Sequence, residues 1–382
     1  MAAMYFPITQ EQEMIRIMVE QFTRKEVAPG AAKRDREGRF PEDVIAKMGE
    51  LGLLGMMVPA EYGGSDVGAV AYVLAVMEIA RGCGSTAVTM SVTNLSCEPL
   101  TQFGNEDQKQ RLLSPLASGK HIGAFALTEP EAGSNLAEIN CKARKKGSRY
   151  ILNGTKLFIT NGGYAGVFMV LARTGDGGGR GLSVFAVEKD TPGLIVGPAV
   201  HKMGLRASNT VEIIFEDCEV PEENLIGKEG EGIRIITKAL DSGRIGIAAQ
   251  STGMTKACLE EAVEYATERR QFNKALASHQ AIAWMISEIA TGYEAAKLLT
   301  LSAAGLKQRG EPFVKEASMA KFFASETLNR SAYKALQIHG GYGYTQEFPI
   351  ERIYRDARVT TIYEGTSEIQ RMVIARETLK GK

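Results

Sequence analysis

The chain has 382 residues, 44% hydrophobic and 24% charged. This is an ordinary globular composition that excludes a disordered or fibrous protein and predicts roughly two or three domains. Lys and Arg total 45, as do Asp and Glu, and no Lys/Arg-rich block stands out, so nucleic-acid binding is not expected. The longest apolar runs, near Leu51–Met57 and Tyr164–Ala172, fall short of the about 18 residues that a membrane span needs.

The first residues, MAAMYFPITQEQE, carry no basic region followed by an apolar run, so no secretory signal is expected. Thr9 and Gln12 fit a capping box, and Ile15, Met18, Val19 and Phe22 follow at helical spacing. Pro41 suits the first turn of a second helix carrying Val44, Ile45, Met48 and Leu51. Gly52, Gly55 and the Pro59–Gly64 segment punctuate the chain before helical patterns return around 69–80 and 105–117.

From His121 to about residue 225 the chain turns rich in Val, Ile, Phe, Thr and Gly. Asn153-Gly154 between apolar runs reads as a hairpin turn. Phe168–Leu171, Leu182–Val187 and Val211–Phe215 read as strands, and the run Gly175–Gly181 as a loop. That run is not G-x-G-x-x-G, no βαβ pattern surrounds it, and no P-loop string exists. Beyond Glu231 long helices are expected near 233–268, 280–309, 314–339 and 365–380, interrupted only by Pro312 and Pro349, a pattern that suits an antiparallel bundle.

The five cysteines, Cys83, Cys97, Cys141, Cys218 and Cys258, are widely spaced with no C-x-x-C pair, and no two of the four histidines stand at i, i+4. Neither a disulfide framework nor a metal site is expected. A cytoplasmic location is the expectation from this cysteine usage and from the lack of a recognisable secretory signal. Cys97 and Cys141 are expected as buried small hydrophobes, and Trp284 as helix core.

Three segments carry candidate chemistry. Phe125–Asn135 joins a strand-like run to a turn rich in hydroxyls and backbone N–H groups. Gln337–Tyr344 packs Gly340, Gly341 and Gly343 together, which lets backbone approach another group such as a pyrophosphate. In Ile362–Glu368, Ser367 and Gln370 suit a second capping box, leaving Glu364 on the loop before a helix. Each also has a plain structural reading. Gly340-Gly341 suits a helix C-terminus, and a Glu before a helix complements its dipole. Thr128 could end a strand, and His339 could serve packing or a backbone hydrogen bond.

Taken in order, FALTEPEAGSN (125–135), KLFITNGG (156–163), KMGLRASNT (202–210), DSGRIGIAAQ (241–250), ERRQF (268–272), QIHGGYGY (337–344) and IYEGTSEIQ (362–370) resemble the acyl-CoA dehydrogenases, most of all the short-chain, butyryl-CoA type. The likeness runs from about Thr9 to Arg376. It implies an α+β multidomain fold: an N-terminal helical domain over 1–120, a middle β-barrel-like domain over 121–228 and a C-terminal four-helix bundle over 229–382. It also implies FAD and, from the family, a homotetramer passing electrons to electron-transferring flavoprotein.

Residue by residue, the resemblance implies that Phe125, Leu127, Thr128, Gly133, Ser134, Phe158 and Thr160 lie at the flavin. Arg269, Phe272 and Gln280 match residues holding the FAD of a neighbouring subunit. Gln337, Ile338, His339, Gly340 and Gly341 match the pyrophosphate–adenine site, and Thr366, Ser367 and Glu368 another part of FAD. Ser134, Asp241, Arg244 and Gly365 match the substrate side. Glu364 matches the base that takes the α-proton of an acyl-CoA thioester while the β-hydride passes to flavin N5, giving a 2,3-enoyl-CoA.

Asn135 and Asn209 stand where relatives often have Asp, and Glu131 where many have Gly. Segment Met90–Cys97, small and partly polar, should flank the acyl tail and favours a short, small branched or cyclic acyl group. Other readings of the same fold are an enoyl-CoA reductase, another flavin oxidase or a non-catalytic scaffold. Glu364 and the chain length favour the dehydrogenase.

Overall fold

A computed structural model describes residues 6–380. The first third is helical: α1 (Gln10–Phe22), α2 (Ala31–Glu37), α3 (Glu42–Glu50), α4 (Gly68–Gly82), α5 (Gly84–Phe103), α6 (Glu106–Gln108) and α7 (Ser114–Ala117). The expected capping box closes α1, with Thr9 Oγ1 accepting from Gln12 N and Gln12 Oε1 from Thr9 N. Pro41 precedes α3, which buries Val44, Ile45 and Met48. Leu51 falls just beyond the helix and stays exposed.

The middle third is an eight-stranded sheet: β1 (Ile122–Ala126), β2 (Lys142–Lys146), β3 (Arg149–Thr160), β4 (Ala165–Arg173), β5 (Leu182–Glu188), β6 (Leu194–Ala199), β7 (Thr210–Pro221) and β8 (Leu225–Ile226). The order is β6-β7-β3-β2-β4-β5-β8, with β1 parallel to β4. Along β4, Phe168, Val170 and Ala172 face a core made almost wholly of strand residues, including Tyr150, Leu152, Phe185, Ile213 and Phe215. Val167, Met169 and Leu171 alternate with them and face helix residues such as Leu100, Leu112, Leu116 and Ile235. The sheet therefore wraps its own core and keeps its other face under helices, with the period of two that strands impose.

The last third holds α8 (Gly232–Glu268), the short β9 (Arg270–Gln271) and β10 (Lys274–Ala275), α9 (Gln280–Gln308), α10 (Val314–His339), α11 (Ile350–Ala357) and α12 (Ser367–Leu379). Helices α8, α9 and α10 pack on one another, and α12 packs on α10. Their contact stripes are small: α10 turns Ala317, Ala320, Ala324, Leu328, Ala332 and Ala335 inward at spacings of three and four, as an amphipathic helix must. Helices α4 and α5 pack on α8, so N- and C-terminal helices share one core.

Three expectations are corrected. Asn153-Gly154 is not a hairpin turn: β3 runs through it with a register shift between Leu152 and Gly154, at φ 149° for the glycine. A Cβ there would come 2.7 Å from Cys141 Cα, so this glycine serves a bulge and a close backbone approach. Trp284 is not core; it is 59% exposed on α9, where no described element covers that face. Helix α12 is capped one residue earlier than expected: Thr366, not Ser367, accepts from Ile369 N, while Ser367 Oγ donates to Glu326. Cys97 and Cys141 are buried as expected, and burial pushes both thiols up, Cys141 to about 11.

Candidate active site

Two consecutive residues before α12 are left-handed, Glu364 at φ 54° and Gly365 at φ 87°. Glycine tolerates this, but a glutamate there stores about 1–3 kcal/mol of strain unless its surroundings hold it. They do. Gln370 Nε2 donates to the Glu364 carbonyl (3.1 Å) and the Gly365 carbonyl (2.9 Å), and Lys321 Nζ donates to the Gly365 carbonyl at 2.7 Å. Gln370 thus reaches back to carbonyls rather than closing a capping box.

The Glu364 side chain runs inward over α8. A Cβ on Gly243 would lie 2.6 Å from its Oε2 and 3.3 Å from Leu95 Cδ1, so only glycine admits the carboxylate there. Oε2 is enclosed and has no hydrogen-bond partner. Burial raises the carboxyl to about 7, against the pull of the Arg244 and Lys321 charges. One turn further along α8, a Cβ on Gly246 would lie 2.7 Å from the Tyr72 hydroxyl, which hydrogen-bonds Ser91 Oγ at 3.1 Å. Tyr363 O–H donates to Gln250 Oε1 at 2.6 Å. Asp241 and Arg244 form a 2.6 Å ion pair, and Arg244 Nη1 also donates to Ser318 Oγ at 3.3 Å. Burial raises the Asp241 carboxyl and lowers the Arg244 guanidinium.

A second cluster sits where β1 ends. Leu157 N donates to the Thr128 carbonyl at 2.8 Å, placing Leu127 and Thr128 beside the stretch that carries Phe158 and Thr160. A register shift between Lys156 and Ile159 turns Phe158 outward, at φ 58° and 63% exposed. Underneath, fully buried Lys156 donates to the carbonyls of Leu127 (3.0 Å) and Leu171 (2.6 Å) and to Glu129 Oε1 (2.7 Å). Glu129 in turn accepts from Asn140 N and Cys141 N. Burial lowers the Lys156 ammonium, and Glu129 opposes that. Phe125 is half-buried against the helix-side core; Gly133 has open space around it, and Ser134 is exposed.

A third cluster is a groove of about 520 Å³ at the end of α10, lined among others by Arg269, Gln337, Ile338, His339, Gly340 and Gly341. Neither Gly340 nor Gly341 has anything within 4 Å of a would-be Cβ. His339 behaves as its plain reading requires: Nδ1 lies 2.8 Å from the Ala335 carbonyl, and its ring stacks on Tyr265. Its Nε2 is buried without a partner, and burial lowers its pKa. Phe272 and Gln280 stand outside this groove; Phe272 is 87% exposed. Thr366, Ser367 and Glu368 lie at the start of α12, next to Glu364. Among the described residues no His, Cys, Asp and Glu cluster could hold a metal ion, and no helix is long and apolar enough to cross a membrane.

Sequence reasoning missed Gly243, Lys321, Lys156 and Glu129 as parts of these clusters, and read Gln370 as a capping-box partner rather than as the donor to the Glu364 and Gly365 carbonyls. The glycines had a visible sign. Gly243 and Gly246 stand three apart inside a helix, at about 1 kcal/mol each relative to Ala, which asks for a close-packing reason. The buried charges had a weaker one, Glu129 after the apolar run FAL, Lys156 before LFI and Lys321 in MAKFF.

Family models for the acyl-CoA dehydrogenase N-terminal, middle and C-terminal domains match residues 9–120, 124–218 and 230–379. An acyl-CoA dehydrogenase of Bacillus subtilis is 50% identical over 98% of this chain and 99% of its own length. A short-chain specific acyl-CoA dehydrogenase of Clostridium acetobutylicum is 45% identical, covering 97% of this chain and 99% of its own. A chain in a structure described as the electron transferring flavoprotein of Acidaminococcus fermentans superposes with a TM-score of 0.97 at 44% identity, over 99% of this chain and 100% of that one. Three contiguous domain matches and these likenesses place the chain in the acyl-CoA dehydrogenase family. It is an FAD-dependent oxidoreductase, an acyl-CoA dehydrogenase of the short-chain type. The residues suit FAD: hydroxyls at Thr128, Ser134 and Thr160, an outward aromatic face at Phe158, and open backbone at Gly133, Gly340 and Gly341.

Proposed function

We propose that Glu364 is the catalytic base, removing the α-proton of a short-chain acyl-CoA so that a 2,3-enoyl-CoA results. The observation that carries this reading is the enclosed, unpartnered Oε2 lying over Gly243, on a carboxyl raised to about 7. A carboxylate stripped of water has its charged form disfavoured and is a stronger base for it. The thioester α-proton is weakly acidic, and the Glu364 backbone N–H would hydrogen-bond the thioester oxygen as negative charge develops there. FAD, when bound, supplies the acceptor for the β-hydride.

Thr128, Thr160, Phe158, Leu127 and Phe125 hold the flavin in this reading. Gln337–Gly341 receive its far end, Thr366–Glu368 line its approach, and Gly133 leaves room for it. Ser134, Asp241, Arg244 and Gly365 serve the substrate. The short-chain preference has a physical basis. Gly243 and Gly246 are about 4.5 Å apart along the axis of α8, and the Tyr72–Ser91 hydroxyl pair closes the space over the second. Electron-transferring flavoprotein is the proposed acceptor, which the Acidaminococcus fermentans likeness supports. The domain division is proposed at 120/121 and 228/229, the assembly as a homotetramer and the location as the cytoplasm.

The test is an anaerobic titration of the purified protein with butyryl-CoA and longer thioesters, following the flavin absorbance. Bleaching by butyryl-CoA, lost in Glu364→Gln with FAD still bound, is the expected result. Undiminished bleaching in Glu364→Gln would sink the assignment of the base.

A further inference from the structure

Lys321 is fully buried on α10, an expensive position for an ammonium, and nothing in the reaction as described above uses it. Among the described residues, its single hydrogen bond is to the Gly365 carbonyl, at 2.7 Å. That carbonyl belongs to the second of the two left-handed residues that aim Glu364 inward. Burial draws the ammonium down to about 8, and Glu364 is the foremost charge holding it up.

The other cation near Glu364 is Arg244, and it is already engaged. Its Nη1 sits 2.6 Å from Asp241 and also donates to Ser318. Arg376 from α12 bears on Asp241 and Arg244; among the described residues, the remaining groups that face Glu364 and Lys321 add no positive charge. They are Tyr72 from α4, Tyr363 beside the base, Glu326 from α10, which accepts from Ser367, and Glu368 from α12. Among the described residues, Lys321 is therefore the positive charge beside Glu364 that forms no ion pair with another carboxylate.

We propose that Lys321 is a positioning residue for the reaction, its ammonium holding the Glu364–Gly365 turn and giving the Glu364 carboxylate its compensating charge. This rests on Glu364 being the base. Both roles act through one hydrogen bond and one charge, and the two can be separated. Methionine keeps the length and loses both. Glutamine keeps a donor without the charge. Arginine keeps donor and charge.

The sign follows from the charge. Glu364 must be ionised to take a proton, so the rate of flavin reduction rises with pH through its pKa. Removing a neighbouring cation disfavours the ionised form and moves that rise to higher pH.

The experiment compares wild-type, Lys321→Met, Lys321→Gln and Lys321→Arg holoenzymes. It measures the pH profile of anaerobic flavin reduction by butyryl-CoA. It also measures exchange of the butyryl-CoA α-proton in D2O with the flavin reduced beforehand, which isolates the proton step. FAD content and thermal unfolding are recorded alongside. We expect Lys321→Met to lose up to about 100-fold in rate, the scale of a displaced catalytic group, with slower α-exchange and the acid limb moved upward. Lys321→Arg should return the limb to its wild-type position. If Lys321→Met does not retain FAD, Lys321→Gln carries the same upward shift. A limb that stays put in whichever uncharged variant retains FAD overturns the proposal, because a purely structural lysine lowers the rate without moving it. Glu364→Gln is the control. If it reduces flavin normally, the base assignment has failed; if it is inactive while the uncharged Lys321 variant keeps the wild-type limb, the Lys321 proposal alone has failed.

Discussion

A methyl group on residue 243 would come 2.6 Å from Glu364 Oε2, closer than non-bonded neighbours in a packed interior tolerate. The carboxylate is the movable partner, since α8 is buried along this stretch. Gly243→Ala should therefore push Oε2 off its position while the fold persists. The helix itself gains about 1 kcal/mol from the exchange of Gly for Ala. The expected outcome is an unchanged or higher melting temperature, full FAD content and flavin reduction slower by about 100-fold. Stopped-flow reduction beside thermal unfolding reads both. A variant that reduces flavin at the wild-type rate would mean that the carboxylate does not work from this position. The same glycine shows why the site was half-legible. Glu364 stood out as a carboxylate before a helix, but its partner lies 121 positions earlier and shows only as an unexplained glycine in a helix.

At the scale of elements, the flavin-side loop is held by a buried pair. Lys156 bridges the end of β1, β4 and Glu129, and Glu129 collects the N–H groups of Asn140 and Cys141. Removing one member leaves a buried charge uncompensated, which costs about 3–5 kcal/mol. Lys156→Met should lower thermal stability markedly and release FAD on gel filtration; retention of both would show that the loop stands without the pair. The long helices of the last third were legible because their stripes repeat at three and four, and the strands because they alternate. Helix α5 was not. Its GSTAVTMSVTNLSCEPLTQF is buried nearly all round and rich in Ser, Thr and β-branched residues, with Pro99 inside. Burial on every side erases the period, and these residues are weak helix formers. The helix persists because its hydroxyls bond inward, Thr89 to the Ser85 carbonyl, Thr93 to Thr89 and Ser96 to Val92. The Asn153-Gly154 bulge was misread for a related reason. The dipeptide allows a turn, but only the pairing of β3 with β7 decides that the strand continues.

For the whole molecule, the proposed flavin site spreads over the middle and last thirds of the chain, and its outermost members look away from the chain that carries them. Phe272 is 87% exposed at φ 51°, braced edge-on by the His279 ring at 6.0 Å. It stands near Gln280 at the start of α9, whose outer face also exposes Trp284. An aromatic ring held out in a strained conformation gains nothing in a lone chain, since apolar surface in water is unfavourable at about 25 cal/mol per Å². It gains both area and a partner if a second copy of the chain and its FAD cover it. The proposed tetramer, with Phe272 and Gln280 reaching a neighbour's cofactor, makes a coupled expectation. Phe272→Ala should weaken assembly and FAD retention together, so that dilution releases FAD from the variant at protein concentrations where the wild type stays yellow. Analytical ultracentrifugation monitored at a protein and a flavin wavelength reads the two at once. Loss of FAD with the assembly intact would confine Phe272 to cofactor contact. Loss of assembly with FAD retained would separate Phe272 from the cofactor and return the whole flavin site to a single chain.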